Sequence, residues 1–194
     1  MDIVRIANEA NLTEEQVKKL LETLNENPAY KEKIGLRYGI DLVVRRKDGS
    51  IKQELHLGNI QDGVKREKGH TITDAGLASI AGLILTDVTE ADYDYLAIGT
   101  GTTAAAAADT ALGYETHRAA GTGTLVTTTI TNDTAQLVVT FSGYTGTEAV
   151  TEIGMFNAST GGDMFMRQTH AALNINWDAG DSYQATVKIQ CARA

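Results

Sequence analysis

A short glycine pattern is the arrangement of residues that most suggests chemistry in this chain. Gly99-x-Gly101-x-x-Ala104 follows the apolar run Tyr95–Ile98 and matches the fingerprint of dinucleotide-binding loops. That fingerprint requires a helix after the glycines, then a parallel strand, and an acidic residue about 20 positions on. Here threonine-rich alternating β structure follows, and residues 121–124 contain no acid. We therefore expect the glycines to let the chain leave a strand and turn, with no cofactor bound.

Three carboxylates with a spacing of two residues are the best candidates for metal ligands. Glu90, Asp92 and Asp94 would share one face of a strand. Such oxygen ligands could hold calcium, but the glycine and the terminal glutamate of an EF-hand loop are missing. We favour a solvated acidic entry to a strand and predict no metal site.

The cysteine and histidine residues give little support to nucleophilic catalysis. The one cysteine, Cys191, alternates with apolar residues and is predicted to be a buried structural thiol. The sequence contains no His-x-x-x-His pair, no His-Glu-x-x-His motif and no Gly-x-Ser-x-Gly elbow. We predict no catalytic residue and no enzyme. The histidines are His56, His70, His117 and His170.

Charge is distributed unevenly along the chain. Residues 1–70 carry a net charge of +1, whereas residues 71–194 carry −9. Because affinity for nucleic acid comes mainly from lysine and arginine contacts to phosphate, we expect no nucleic-acid partner. Arg118 and Arg167 are two of the four positive residues after position 70, and we expect them to form buried or interfacial ion pairs. Their candidate partners are Glu115, Glu148 and Glu152.

The composition is ordinary for a globular chain with one sizeable core. The 194 residues are 42% hydrophobic and 22% charged. No apolar run approaches the roughly 18 residues that span a bilayer, and the N-terminus shows no signal peptide. We therefore expect no membrane partner.

The first 35 residues predict a helical docking segment. Thr13-Glu14-Glu15-Gln16 is a capping box, and Asn27-Pro28 ends the helix. Between them, apolar residues recur at helical spacing and form a face that we expect to pack on the body of the chain or on a partner subunit. These candidate interface residues are Val17, Leu20, Leu21 and Leu24.

Residues 36–194 predict a mainly β body. Alternating residues around the turn Asp48-Gly49 indicate a hairpin over residues 37–57, and a helix is expected over 73–85. Gly76 and Gly82 weaken that helix but would let it pack closely on a sheet. Strands with two-residue alternation fill residues 93–192, which favours an antiparallel, jelly-roll-like β-sandwich. The predicted strands are Tyr93–Ile98, Thr124–Thr131, Gln136–Ser142, Ala149–Asn157, Met164–Thr169 and Tyr183–Ala192.

The order of several motifs resembles a group of small virion structural proteins of tailed phages, often labelled tail-fibre-like or minor structural proteins. The resemblance covers about three quarters of the chain, from Leu42 to the end. The stretch from Tyr95 to Thr103, with Asp109-Thr110-Ala111-Leu112 and Glu115-x-x-Arg118, is its strongest part. The other matching pieces are Asp41–Val44 with Lys47-Asp48-Gly49, Ile72–Leu77 with Ile80-Ala81, Thr151–Ala158, and Gly161–Arg167.

The resemblance implies a non-enzymatic virion protein that forms symmetric oligomers, with a trimer favoured. Its expected role is an assembly, adaptor or decoration component of the tail, baseplate, neck or capsid surface, and its partners would be other virion proteins. The small-residue segment at Ala105 and Ala106, together with Arg118 and Arg167, is expected near an interface. The alternative is a host-surface or carbohydrate-binding module of a tail fibre, which would use Tyr93, Tyr95, Tyr114, Tyr144 and Trp177 as stacking surfaces.

Overall fold

A computed structural model of the chain describes residues 13, 15–16, 18–19, 34–67, 71–83 and 91–193. The chain divides into two compact units, Leu36–Cys191 and a second formed by Met1–Gly35 with Ala192–Ala194. The predicted capping box is present in the second unit: the Thr13 amide donates to Gln16 Oε1 at 2.9 Å, and the Gln16 amide donates to Thr13 Oγ1 at 3.3 Å. The apolar face predicted for this helix lies outside the described residues; its members are Val17, Leu20, Leu21 and Leu24.

The described part of the chain is mainly β, with two antiparallel five-stranded sheets. The strands are β1 (Ile34–Arg45), β2 (Ile51–Gly58), β3 (Thr71–Ile72), β4 (Tyr95–Gly99), β5 (Glu115–Ala120), β6 (Thr122–Val126), β7 (Thr134–Phe141), β8 (Thr147–Phe156), β9 (Met164–Asn176) and β10 (Ser182–Arg193). Sheet A has the order β2-β1-β10-β7-β6, and sheet B has the order β3-β9-β8-β4-β5. Helix α1 spans Asp74–Gly82, and a 3-10 turn covers Trp177–Ala179.

The predicted hairpin is confirmed in β1 and β2. These strands pair antiparallel with Ile40 opposite Leu57, and Gly49 takes a φ of 84° in the turn between them. The positive φ explains why Asp-Gly suits this turn. Alternate residues of β1, among them Leu42 and Val44, are fully buried.

One hydrophobic cluster contains residues from both sheets. Phe141 and Val187 enter it from sheet A, and Ile98, Ile153 and Met166 enter it from sheet B. Each large apolar side chain buried in this way contributes roughly 1.5–3 kcal/mol. The alternating apolar side chains of β7 and β10 are thus buried in a core that both sheets share.

Helix α1 begins where the sequence predicts. The Thr73 hydroxyl accepts a hydrogen bond from the Gly76 amide at 3.0 Å and caps the first turn. A Cβ on Gly76 would lie 2.3 Å from the carbonyl oxygen of Phe165, so this glycine lets the helix approach β9 closely, as expected. Residues 84–90, which include Glu90 of the hypothetical metal site, lie outside the described residues.

Strands β5 and β6 form a corner between the two sheets. β5 pairs with β4 in sheet B, β6 pairs with β7 in sheet A, and only Gly121 separates them. A Cβ on Gly121 would lie 2.8 Å from the Val138 carbonyl oxygen and 2.6 Å from Leu137 Cδ1, so this passage favours glycine. The sequence did not predict β5, and it placed β6 too far along the chain.

Candidate functional site

The glycine-rich loop is built around a buried carboxylate. Glu152 of β8 has no exposed surface and accepts hydrogen bonds from three backbone amides. The Gly101 amide lies 2.9 Å from Glu152 Oε1, the Tyr114 amide 2.7 Å from the same oxygen, and the Gly113 amide 2.9 Å from Oε2. The loop between β4 and β5 is therefore fastened at both of its ends to β8.

Arg167 of β9 completes this network, and its predicted pairing with Glu152 is confirmed. Its Nε and Nη2 donate to Glu152 Oε2 at 3.0 and 2.8 Å. Its Nη1 donates to Asp109 Oδ2 at 2.8 Å, and Nη2 also reaches the Thr103 carbonyl at 3.0 Å. Arg167 is only 2% exposed, so the structure places it inside the chain. A contact between Arg167 and a neighbouring subunit stays a prediction.

The electrostatics of the network keep both partners charged. Burial raises the pKa of Glu152, but the amides of Tyr114 and Gly113 and the Arg167 guanidinium outweigh burial and hold that pKa below its ordinary value. Burial lowers the pKa of Arg167, but hydrogen bonds to Asp109 and Glu152 raise it above its ordinary value. A charged pair with this many hydrogen bonds offsets its desolvation.

The two glycines of the fingerprint let the loop backbone approach the Glu152 carboxylate closely. A Cβ on Gly101 would lie 2.3 Å from Glu152 Oε1, and one on Gly99 would lie 2.1 Å from the Tyr114 carbonyl oxygen. Backbone amides that converge on an anion are what a phosphate site requires, but here the chain's own carboxylate takes that place. Residues 100–114 contain no helix, and β4 is followed by an antiparallel strand. The arrangement is thus not that of a dinucleotide-binding β-α-β unit.

The alanine segment lies beside the start of α1. The Thr71 hydroxyl donates to the Ala105 carbonyl at 3.4 Å, and the Asp74 amide donates to the Ala107 carbonyl at 2.8 Å. The Ala106 amide donates to Asp109 Oδ2 at 2.9 Å. Because Ala105 is partly exposed and Ala106 is exposed, their predicted role at an interface stays open to test.

Arg118 fastens a second turn to sheet B. Its Nε and Nη2 donate to the two carboxylate oxygens of Glu115 at 2.9 and 2.7 Å, which confirms one of the predicted pairings. Its Nη1 donates to the carbonyls of Ala158 and Gly161 at 2.9 and 2.8 Å, and its guanidinium lies 3.6 Å above the centre of the Phe156 ring. These contacts hold the β8–β9 turn against β5.

Sequence reasoning missed a charged cluster on the loop that follows β2. The Arg66 side chain is 3% exposed, and it donates to Asp41 and Asp62 at distances down to 2.7 and 2.6 Å. Lys188 of β10 lies 3.1 Å from Asp62 Oδ2, and His56 Nδ1 lies 2.7 Å from Asp41 Oδ1. The spacing of four residues between Asp62 and Arg66 was the one signal in the sequence. This polar loop therefore carries a buried cation.

The aromatic residues of the stacking hypothesis are only partly available. Trp177 is 5% exposed and donates from Nε1 to Glu148 at 3.2 Å. The Tyr144 ring stacks on His117 with 3.7 Å between ring centroids. Tyr114 is 66% exposed and is the most open of these rings that the structure describes. The hypothesis of a host-surface module stays a prediction that depends mainly on Tyr114.

A groove of about 660 Å³ opens beside the face of sheet A that carries Leu137 and Val187. Its lining is mostly apolar and also includes carboxylates, among them Asp94 and Asp133. Cys191 lines this groove and is exposed, so the prediction of a buried thiol is wrong. Val187 and Cys191 lie on the same face of β10, but this face is buried at Val187 and exposed at Cys191. Two-residue alternation predicts which residues share a face and not where along the strand that face becomes exposed.

The part of the chain that the structure describes contains neither a metal-binding cluster nor a membrane-spanning helix. No group of three or more His, Cys, Asp or Glu side chains in that part of the chain could hold a metal ion. None of its helices is both long enough and apolar enough to cross a bilayer. The chain matches no protein-family model, no curated protein and no solved structure.

Proposed function

We propose that this chain is a non-enzymatic structural protein of a tailed-phage virion, and that its body is an antiparallel, jelly-roll-like β-sandwich. In this role it acts as an adaptor or decoration component of the tail, baseplate, neck or capsid surface. It assembles with other virion proteins and with copies of itself.

One observation carries the proposal. The residues that give the chain its resemblance to such proteins, above all Gly101, Asp109, Glu152 and Arg167, meet in one buried network. That network fixes a long loop on sheet B with its charges satisfied internally. The surfaces of an assembly module must keep their shape to fit a partner. We therefore expect the motif residues of such a module to stabilise its loops.

Deletion of residues 1–34 tests the proposed docking role of the N-terminal segment. We expect the truncated chain to keep its far-ultraviolet circular dichroism spectrum of β structure but to be lost from particles purified after infection. A matched variant with Leu20→Asp and Leu24→Asp should behave in the same way, because charges on the apolar face prevent packing. Normal incorporation of both variants would refute the docking role, and absence of the full-length chain from particles would refute the virion assignment.

A further inference from the structure

The outer edge of β6 is open. β6 ends the strand order of sheet A and pairs along one side with β7, from Thr122 opposite Val138 to Val126 opposite Thr134. On its other side, no backbone hydrogen bond reaches it from any residue that the structure describes. An open edge of this kind presents amide and carbonyl groups that can pair with another strand.

This edge lacks the charges that normally protect an exposed strand. β2, at the opposite end of sheet A, carries Lys52 and Glu54, and its far end is covered where Gly58 donates to the Glu67 carbonyl at 2.8 Å. By contrast, residues 119–132, which include all of β6, contain no charged residue. They contain no proline either, and proline is another means of blocking an edge.

The edge also displays an apolar side chain beside the groove. Leu125 is 63% exposed although it belongs to a strand. It is opposite Ala135, and Gly123 is opposite Leu137, so Leu125 and Gly123 lie on the face of sheet A that borders the groove. A Cβ on Gly123 would have open space around it, with Asp94 Oδ1 at 4.0 Å as its nearest contact.

We propose that β6 pairs with β6 of a second copy of this chain, antiparallel and about a two-fold axis at Thr124. In this register Leu125 lies opposite Gly123 of the other copy and covers the open space there, and Thr122 lies opposite Val126. The two sheets A become one continuous sheet, and the two grooves become neighbours across the axis. This inference does not depend on the virion assignment.

The fit of the exposed Leu125 to the open space at Gly123 favours a second copy as the occupant, and charge limits where two copies can meet. Residues 71–194 carry a net charge of −9, so two copies approach each other against a net repulsion. Within the paired strands no like charges face each other, and the repulsion that remains comes from carboxylates beside the groove such as Asp94. β5, with Glu115 and Arg118, offers no such uncharged edge. Screening by salt weakens the remaining repulsion, so the pair should become tighter as ionic strength rises.

The mass in solution of the full-length chain tests the proposal. Light scattering and analytical ultracentrifugation should show twice the mass of the 20.7 kDa chain, with the paired fraction rising with protein concentration and from 50 mM to 500 mM NaCl. Leu125→Lys should lower the association constant at least tenfold. Ile51→Lys is the matched control, because Ile51 is an aliphatic residue 48% exposed on the edge strand β2. It should leave the association constant unchanged.

Disulfide trapping tests the register. In a Cys191→Ser background, Thr124→Cys should give a covalent dimer under mild oxidation, since the two Cα atoms opposite each other lie within reach of a disulfide. Thr147→Cys, exposed on β8, should not. A monomer at every concentration, the mass of a trimer, equal loss of pairing in the two lysine variants, or trapping at position 147 instead of 124 would each overturn the proposal.

Discussion

Glu152 receives more hydrogen bonds than an ion pair alone would give it. Three backbone amides and the Arg167 guanidinium share its two oxygens. Its removal therefore affects a loop as well as a partner side chain. This distinguishes it from pairs that can be replaced by two apolar residues without loss.

Arg167→Met tests the strength of this network. We expect the free energy of unfolding in urea to fall by about 3–5 kcal/mol, because the variant leaves Glu152 buried without its counter-charge. Arg46→Met is the control, since Arg46 is exposed and its side-chain hydrogen bonds to described residues go to Ser50 and Ile51 of its own hairpin; a change within about 0.5 kcal/mol is expected there.

The double variant Glu152→Leu, Arg167→Met separates two explanations. If the network were a simple ion pair, removing both charges would restore most of the stability. Because the amides of Gly101, Gly113 and Tyr114 would lose their acceptor, we expect the double variant to remain as unstable as Arg167→Met. Full recovery of stability would show that the amides contribute little.

Packing decides the effect of glycine in helix α1. In an exposed helix position, glycine to alanine stabilises by about 1 kcal/mol. We expect Gly76→Ala to have the opposite sign and to destabilise the protein by at least 1 kcal/mol, because the new Cβ would meet the Phe165 carbonyl oxygen at 2.3 Å. Ala78→Gly, at an exposed position of the same helix, should cost about 1 kcal/mol from propensity alone. Thermal denaturation measures both, and a stabilised Gly76→Ala would contradict the observed helix–strand packing.

The elements that could be predicted are those with a strong local signal. The Asp48-Gly49 turn, the cap at Thr73 and the alternation of β7 and β10 need only neighbouring residues to specify them. β5 was missed because Glu115–Ala120 has little strand propensity and exists through its pairing with β4. β9 was predicted to end at Thr169 but runs to Asn176, past Ala171 and Ala172, where its register with β8 shifts.

In the candidate site, too, the sequence predicted what a local signal specifies and missed what depends on distant residues. The pairing of Arg167 with Glu152 could be inferred because basic residues are scarce in an acidic segment. The sequence could not predict that three amides of a distant loop share this carboxylate, because that contact depends on how β4, β8 and β9 align. The buried Arg66 was missed for a related reason: its partner Asp41 lies 25 residues away in sequence, and Lys188, which pairs with the same carboxylates, is more distant still.

At the scale of the whole molecule, several carboxylates are held in their charged form by folding. Burial raises the pKa of Asp62, but hydrogen bonds from Arg66 and Lys188 outweigh it and lower that pKa from 3.8 to about 2. Burial also raises the pKa values of Asp41 and Asp181, but hydrogen bonds from Arg66 and Lys52 respectively outweigh it and lower them. The Ala106 amide and then Arg167 lower the pKa of Asp109. The folded chain thus binds fewer protons than the unfolded chain in acid.

The sign of the pH dependence follows from these shifts. Stability from Asp62 is fully present well above the ordinary pKa of 3.8 and is lost as pH falls through that value toward the folded pKa of about 2. We expect the free energy of unfolding to decline steadily between about pH 5 and pH 2. Asp62→Asn should be less stable than the natural chain at pH 7 and should lose less on acidification. Urea titrations at pH 7, 4 and 2.5 measure this, and parallel declines in the two proteins would contradict it.

The position of β10 has a consequence for how the chain is made. In sheet A, β10 lies between β1 and β7, so the strand synthesised after both of them joins them. Until β10 leaves the ribosome, β1 and β7 each have an edge with no neighbour, and within sheet A folding can go no further than the β1–β2 hairpin and the β6–β7 pair. Such long-range closure slows folding and lengthens the time during which open edges can capture other chains. In a cell that makes many copies at once, the risk of misassembly is therefore greatest just before synthesis of β10 is complete.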